Sequence, residues 1–149
     1  SDVCSSDLHF IFNDGFCHVH KSIHSEDVKK AKELHPDALV LAHPECTSDT
    51  LALADFIGST SQIIDYATAS DSKKFLICTE MGVFYELMQK NPDKKFFSVG
   101  HRQFCPNMKK VSLDKVLEKL EDLKDEVILP EEMCEQAKKP LDEMLRLAQ

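Results

Sequence analysis

Four short segments carry side chains able to do chemistry. Gly15-Phe16-Cys17-His18-Val19-His20 sets a thiol and an imidazole three residues apart, and His43-Pro44-Glu45-Cys46 sets an imidazole and a carboxylate two apart. Residues two apart in an extended segment face the same way, so His43 and Glu45 would share one face, a pairing suited to proton transfer. Gly58-Ser59-Thr60 offers two hydroxyls at a helix start, where free backbone N–H groups make an anion pocket; taken alone, the same residues read first as an N-cap. Phe104-Cys105-Pro106-Asn107-Met108-Lys109 adds a second thiol in a loop.

Six cysteines stand at 4, 17, 46, 78, 105 and 134, with no C-x-x-C pair among them. The paired close spacings typical of structural zinc are therefore missing. From Cys17 onward the intervals run from 27 to 32 residues, close to one βα unit. Thiols at corresponding points of successive units would meet at one edge of a sheet. Spacing alone does not distinguish them from small buried apolar residues, the default reading of such cysteines.

A set of strands and helices must bring these segments together. Phe10–Phe12 is a short apolar stretch ending at the turn Asn13-Asp14-Gly15. Ser25 is placed to N-cap a helix to about Leu34, with Glu26 and Asp27 favourable in its first turn. Ala38–Ala42 reads as a strand buried on both faces. Thr47-Ser48-Asp49 opens a helix that Leu51, Leu53, Ala54 and Ile57 continue as far as Gly58, and a further helix runs from Ser59 or Thr60 through Ala69. Phe75–Cys78 and Phe96–Val99 are strands, separated by a helix over Val83–Gln89 that Asn91-Pro92 stops. Ser112 caps a helix to about Leu123 with Val116, Leu117, Leu120 and Leu123 on one face. Pro130 suits the first position of a last helix towards Ala148, in which Pro140 predicts a kink or a break.

The alternation implies an α/β fold, a parallel sheet with helices on both faces. Ligands of such sheets collect beyond the carboxyl ends of the strands, where the Cys17, His43 and Cys105 segments fall. Residues 9–105 are read as one α/β module and 106–149 as a C-terminal helical segment. Residues 1–8, SDVCSSDL, read as a translated sequencing adapter, so the natural frame is expected to continue upstream and Cys4 is set aside. With 149 residues, 42% of them hydrophobic, the chain can bury a core, and its net charge of −8 disfavours a nucleic-acid partner. No apolar run nears the roughly 20 residues that span a bilayer. With no charged-then-apolar leader, the expectation is a cytoplasmic protein without a membrane partner.

In order along the chain stand G-x-C-x-V-H at Gly15, Cys17, Val19 and His20; H-P-E at His43-Pro44-Glu45; and G-S-T-S-Q at Gly58–Gln62. T-E-x-G follows at Thr79, Glu80 and Gly82, then C-P-x-M at Cys105, Pro106 and Met108. Together they resemble quinolinate synthase, over roughly residues 15–147. The resemblance implies three similar α/β modules, each supplying one cysteine to a 4Fe-4S cluster. Cys17 and Cys105 match the second and third ligands, the first lying upstream of His9. It implies condensation of iminoaspartate with dihydroxyacetone phosphate to quinolinate for NAD biosynthesis, and functional coupling to an aspartate-oxidising enzyme. By the same resemblance Glu45 lies near the open iron and His43 binds substrate or moves protons. Ser59 and Thr60 would hold an anionic group, while His20 matches a family position of unassigned role.

Lacking one ligand and about half of a complete enzyme, the chain by itself is expected neither to hold a stable cluster nor to turn over. Leu117, Leu120 and Leu141 are expected to be exposed where the absent N-terminal module would pack. Two rival readings stay open: a zinc- or thiol-dependent α/β protein using Cys17, His20, His43 and Cys105, and a non-catalytic binding module with buried cysteines.

Overall fold

The computed structural model describes residues 14–148. The adapter-like octapeptide, Cys4 and the apolar stretch Phe10–Phe12 lie outside the described residues. The chain divides into two compact units between Pro106 and Asn107.

The first unit is built on a four-stranded parallel sheet: β1 (Leu39–Ala42), β2 (Phe56–Ile57), β3 (Lys74–Cys78) and β4 (Lys95–Ser98), in the order β2-β1-β3-β4. Side chains alternate across a strand, and the two faces bury different sets. Val40, Ala42, Leu76 and Cys78 pack with Ile23, Val28 and Cys46 under α2 (Ser25–Leu34) and α3 (Ser48–Leu51). Leu41, Phe75 and Ile77 pack on the other side with Ile63, Ile64, Ala67, Val83 and Leu87 of α4 (Thr60–Ala69) and α5 (Val83–Lys90). The α/β expectation therefore holds, helices covering both faces.

Two expected helix boundaries in the first unit fail for stated reasons. The helix expected from Thr47 to Gly58 ends after one turn, at Leu51, and residues 56–57 form the edge strand β2 instead. Asp55 decides this: its N–H donates to the Val40 carbonyl (2.8 Å) and its carboxylate accepts from the Val40 N–H (2.7 Å), so β1 captures the chain. Gly58 then ends a strand, and any Cβ there would lie 2.7 Å from the Phe56 ring. Ser25 is the first residue of α2 rather than its cap; His24 holds the cap position, and the Ser25 hydroxyl donates to Asp49 (2.6 Å).

At the other end of the same elements, α4 begins as expected. Ser59 and Gln62 form a reciprocal capping box, with Ser59 N–H to Gln62 Oε1 at 2.8 Å. The short helix α1 (His18–Lys21) follows Cys17.

The second unit holds a 3₁₀ turn (Met108–Lys110), α6 (Leu113–Asp122) and α7 (Glu131–Leu147). Pro130 sits one position before the first helical residue, not at it, and α7 continues through Pro140 as one element. A proline there forfeits one backbone donor, which a helix of 17 residues can absorb. Among the described residues, no helix is long and apolar enough to cross a membrane.

Candidate functional site

The carboxyl ends of all four strands open on one edge of the sheet, and each delivers a segment singled out above. Gly58-Ser59-Thr60 follows β2, His43-Pro44-Glu45 follows β1, Thr79-Glu80 follows β3, and the loop from Val99 to Cys105 follows β4. Parallel pairing makes this unavoidable, because every strand must then end on the same side.

His20 is the hub. It is 7% exposed; its Nδ1 lies 3.0 Å from Glu45 Oε2 and its Nε2 2.9 Å from Thr79 Oγ1. A carboxylate only accepts, so Nδ1 carries the proton and Nε2 accepts from the Thr79 hydroxyl. Burial, and the neighbouring His43 ring, hold the His20 imidazole below its ordinary value, although Glu45 pulls the other way. His43 stacks on His20, ring centroids 4.1 Å apart and nearly parallel. The His43–Glu45 relation is made by a turn and not by extended backbone: Cys46 N–H donates to the His43 carbonyl, and Glu45 N–H to His43 Nδ1. The two side chains share a face all the same, His43 Nδ1 lying 3.6 Å from Glu45 Oε2.

Cys17 completes the cluster. Its sulfur, a His20 ring nitrogen and a Glu45 oxygen lie within 4.8 Å of one another, a donor set able to hold a metal ion. Cys105 is anchored from the other side, its N–H donating to Glu80 Oε1 (3.3 Å). The Ser59 hydroxyl accepts from Gln62 N–H, and Ser59 and Thr60 are both exposed.

The five described cysteines separate into kinds. Cys46 and Cys78 are buried, and desolvation pushes their thiols up to about 11 and about 12. Such thiols stay protonated and make poor ligands. Cys17 and Cys105 are half-buried and free at the strand-end edge, while Cys134 is exposed on α7. As soft, accessible sulfurs on one edge, Cys17 and Cys105 fit the donor chemistry an iron–sulfur cluster requires.

The family model for NadA, quinolinate synthetase A protein, matches residues 4–146. This chain belongs to the quinolinate synthase family. It is similar to "Quinolinate synthase" of Caldicellulosiruptor bescii, 52% identical over 134 residues that cover 90% of this chain and 44% of that one. "Quinolinate synthase 2" of Methanosarcina acetivorans is 46% identical over 134 residues, covering 90% of this chain and 43% of that one. "Quinolinate synthase" of Clostridioides difficile is 41% identical over 143 residues, covering 96% and 47%. The chain thus spans somewhat less than half the length of these curated relatives of the quinolinate synthase family.

Two residues of the edge escaped sequence reasoning. Gln103, 3% exposed, carried no motif at all, and Thr79 appeared in the T-E-x-G turn without a chemical role. Both act through hydrogen bonds between segments far apart in sequence, which leave no local signature.

Proposed function

We propose that this chain supplies two of the three modules' cluster ligands in a quinolinate synthase, Cys17 and Cys105, within a protein that makes quinolinate for NAD biosynthesis. The observation that supports it most is the gathering of Cys17, His20, His43 and Glu45 at one strand-end edge in a member of this family. Three thiolates on a 4Fe-4S cluster leave one iron open, which supplies Lewis acidity to a bound substrate.

The chain's own residues do the rest. Glu45, half exposed and hydrogen-bonded by His20, is held near the Cys17 sulfur, where it can take or return a proton. His43 accepts a backbone N–H at Nδ1, which leaves Nε2 to donate to an anionic or carbonyl oxygen of the substrate. Ser59 and Thr60 sit at the start of a helix of 10 residues, with hydroxyls free to donate to the phosphate of dihydroxyacetone phosphate or a carboxylate of iminoaspartate. The work belongs in the cytoplasm, next to an enzyme that oxidises aspartate to the imine. The chain as given, with two of three thiolates, holds no stable cluster and is inactive, and the apolar faces of residues 106–149 pack on the N-terminal part of the enzyme.

The deciding experiment joins this chain to the rest of its natural protein and loads iron and sulfide without oxygen. Visible charge-transfer absorption and quinolinate formation are expected, with Cys17→Ala and Cys105→Ala each abolishing both. Retained iron and turnover in either variant would overturn the assignment. The Cys17–His20–Glu45 donor set favours zinc as a second reading, and selective zinc uptake with no iron–sulfur absorption would establish it.

A further inference from the structure

Cys17 and Cys105 are 88 residues apart, and both sit outside helix and strand. Cys17 precedes a helix of four residues, too short to hold its own orientation. Cys105 lies in a stretch with no regular hydrogen-bonding, between β4 and the end of the unit. Three residues after one thiol and two before the other stand His20 and Gln103, among the few buried polar residues in the described part of the chain, and both attach to a third, Thr79.

We propose that His20, Thr79 and Gln103 form a buried hydrogen-bonded bridge that sets the Cys17 and Cys105 thiols in one fixed arrangement. This rests on the reading of both cysteines as cluster ligands, and adds the residues that position them. Thr79 directly follows β3, a central strand paired on both sides, and so is a firmly held point of the edge. Its hydroxyl donates to His20 Nε2 (2.9 Å), and its carbonyl accepts from Gln103 Nε2 (2.7 Å). The second Gln103 Nε2 hydrogen goes to the Ile77 carbonyl (2.6 Å), and Gln103 Oε1 accepts from Val99 N–H (2.5 Å). Met81 N–H donates to the Gln103 carbonyl (2.8 Å). Every hydrogen on the Gln103 amide is used, and each goes to an acceptor that no carboxylate could serve.

His20 has both nitrogens engaged, one by Glu45 and one by Thr79. It could bind a metal only by breaking one of these bonds. The bridge therefore gives His20 a positioning role, holding the helix after Cys17 while Gln103 holds the irregular segment before Cys105. Outer partners of this kind commonly change metal retention far more than they change folding.

The test uses the full-length enzyme with iron and sulfide loaded, and reads iron release to a chelator and the electron paramagnetic resonance signal of the reduced cluster. Thr79→Val keeps the carbonyl and the shape but loses the hydroxyl; it should release iron about 10- to 100-fold faster and alter the signal. Thr79→Ser restores the hydroxyl and should return both to the parent values. Gln103→Glu sets an oxygen against two carbonyls and should act as Thr79→Val does, and it decides the matter should the valine variant not fold. Parent release rates and an unchanged signal in Thr79→Val or Gln103→Glu would overturn the bridge. Retention of the parent iron content by Cys17→Ala or Cys105→Ala would sink the ligand reading itself, and the bridge with it.

Discussion

The unit ending at Pro106 and the unit beginning at Asn107 use apolar residues in opposite ways. In the first, Leu41, Leu76, Ile77, Phe75 and Leu87 are wholly buried between the sheet and its helices. In the second, neither helix has a buried residue; Leu120 is 70% exposed, and Leu117 and Leu141 are more than half exposed. Both units have well-patterned amphipathic sequence. The difference is that a sheet gives the first unit's helices a surface to cover, whereas neither α6 nor α7 has a buried residue along its stripe. Pattern alone is enough to write a helix, but its stability comes from what the apolar face packs against.

Amide hydrogen exchange on the 149-residue chain should separate the units most sharply. Amides of β1 and β3 should exchange about a thousandfold or more slowly than those of α6 and α7, since the former need global opening at roughly 5 kcal/mol or more. Equal protection in both units would break the contrast. Alkylation at pH 8, read by peptide mass spectrometry, should modify Cys134 quickly and Cys46 and Cys78 about a hundredfold or more slowly, because burial keeps those two protonated.

Core truncation comes next. Leu76→Ala should cost the first unit about 2–5 kcal/mol in urea unfolding. Leu120→Ala in the isolated chain should change its stability by no more than about 0.5 kcal/mol, a surface value. His20→Ala leaves Thr79 and Glu45 without their shared partner and should cost about 1–3 kcal/mol.

The smallest effect is in pH. Unfolded, His20 takes a proton near its ordinary value of 6.5; folded, it does so only at lower pH. Its contribution is therefore fully present above about 6.5 and is lost as the pH falls through the lower folded value. The urea midpoint of the first unit should drop between pH 7.5 and 5.5, and His20→Gln should flatten that drop. Asp49, held down to about 2 mainly by the Ser25 hydroxyl, responds only below about 3.8 and leaves this window clear.

Much of the frame was legible before any coordinates. The runs Ala38–Ala42 and Phe75–Cys78 lie within one residue of β1 and β3, and Ser59 caps α4 through Gln62. Strand β2 was illegible, because Leu51, Leu53, Ala54 and Ile57 fit a helical stripe and only the free edge of β1, met by Asp55, turned the segment outward. The facing of His43 and Glu45 was foreseen from the wrong backbone: the turn at Pro44 delivers what an extended segment would also have delivered.

By itself the sequence determined which segments could be strands and helices, and which side chains carried thiol, imidazole and carboxylate groups, since both depend on residue type and short-range periodicity. Its motifs also determined the family. Only the tertiary structure decided that His20 lies between Glu45 and Thr79, that Gln103 joins the ends of β3 and β4, and which cysteines are sealed in the core. Those outcomes depend on hydrogen bonds and desolvation between residues tens of positions apart, which no local pattern records.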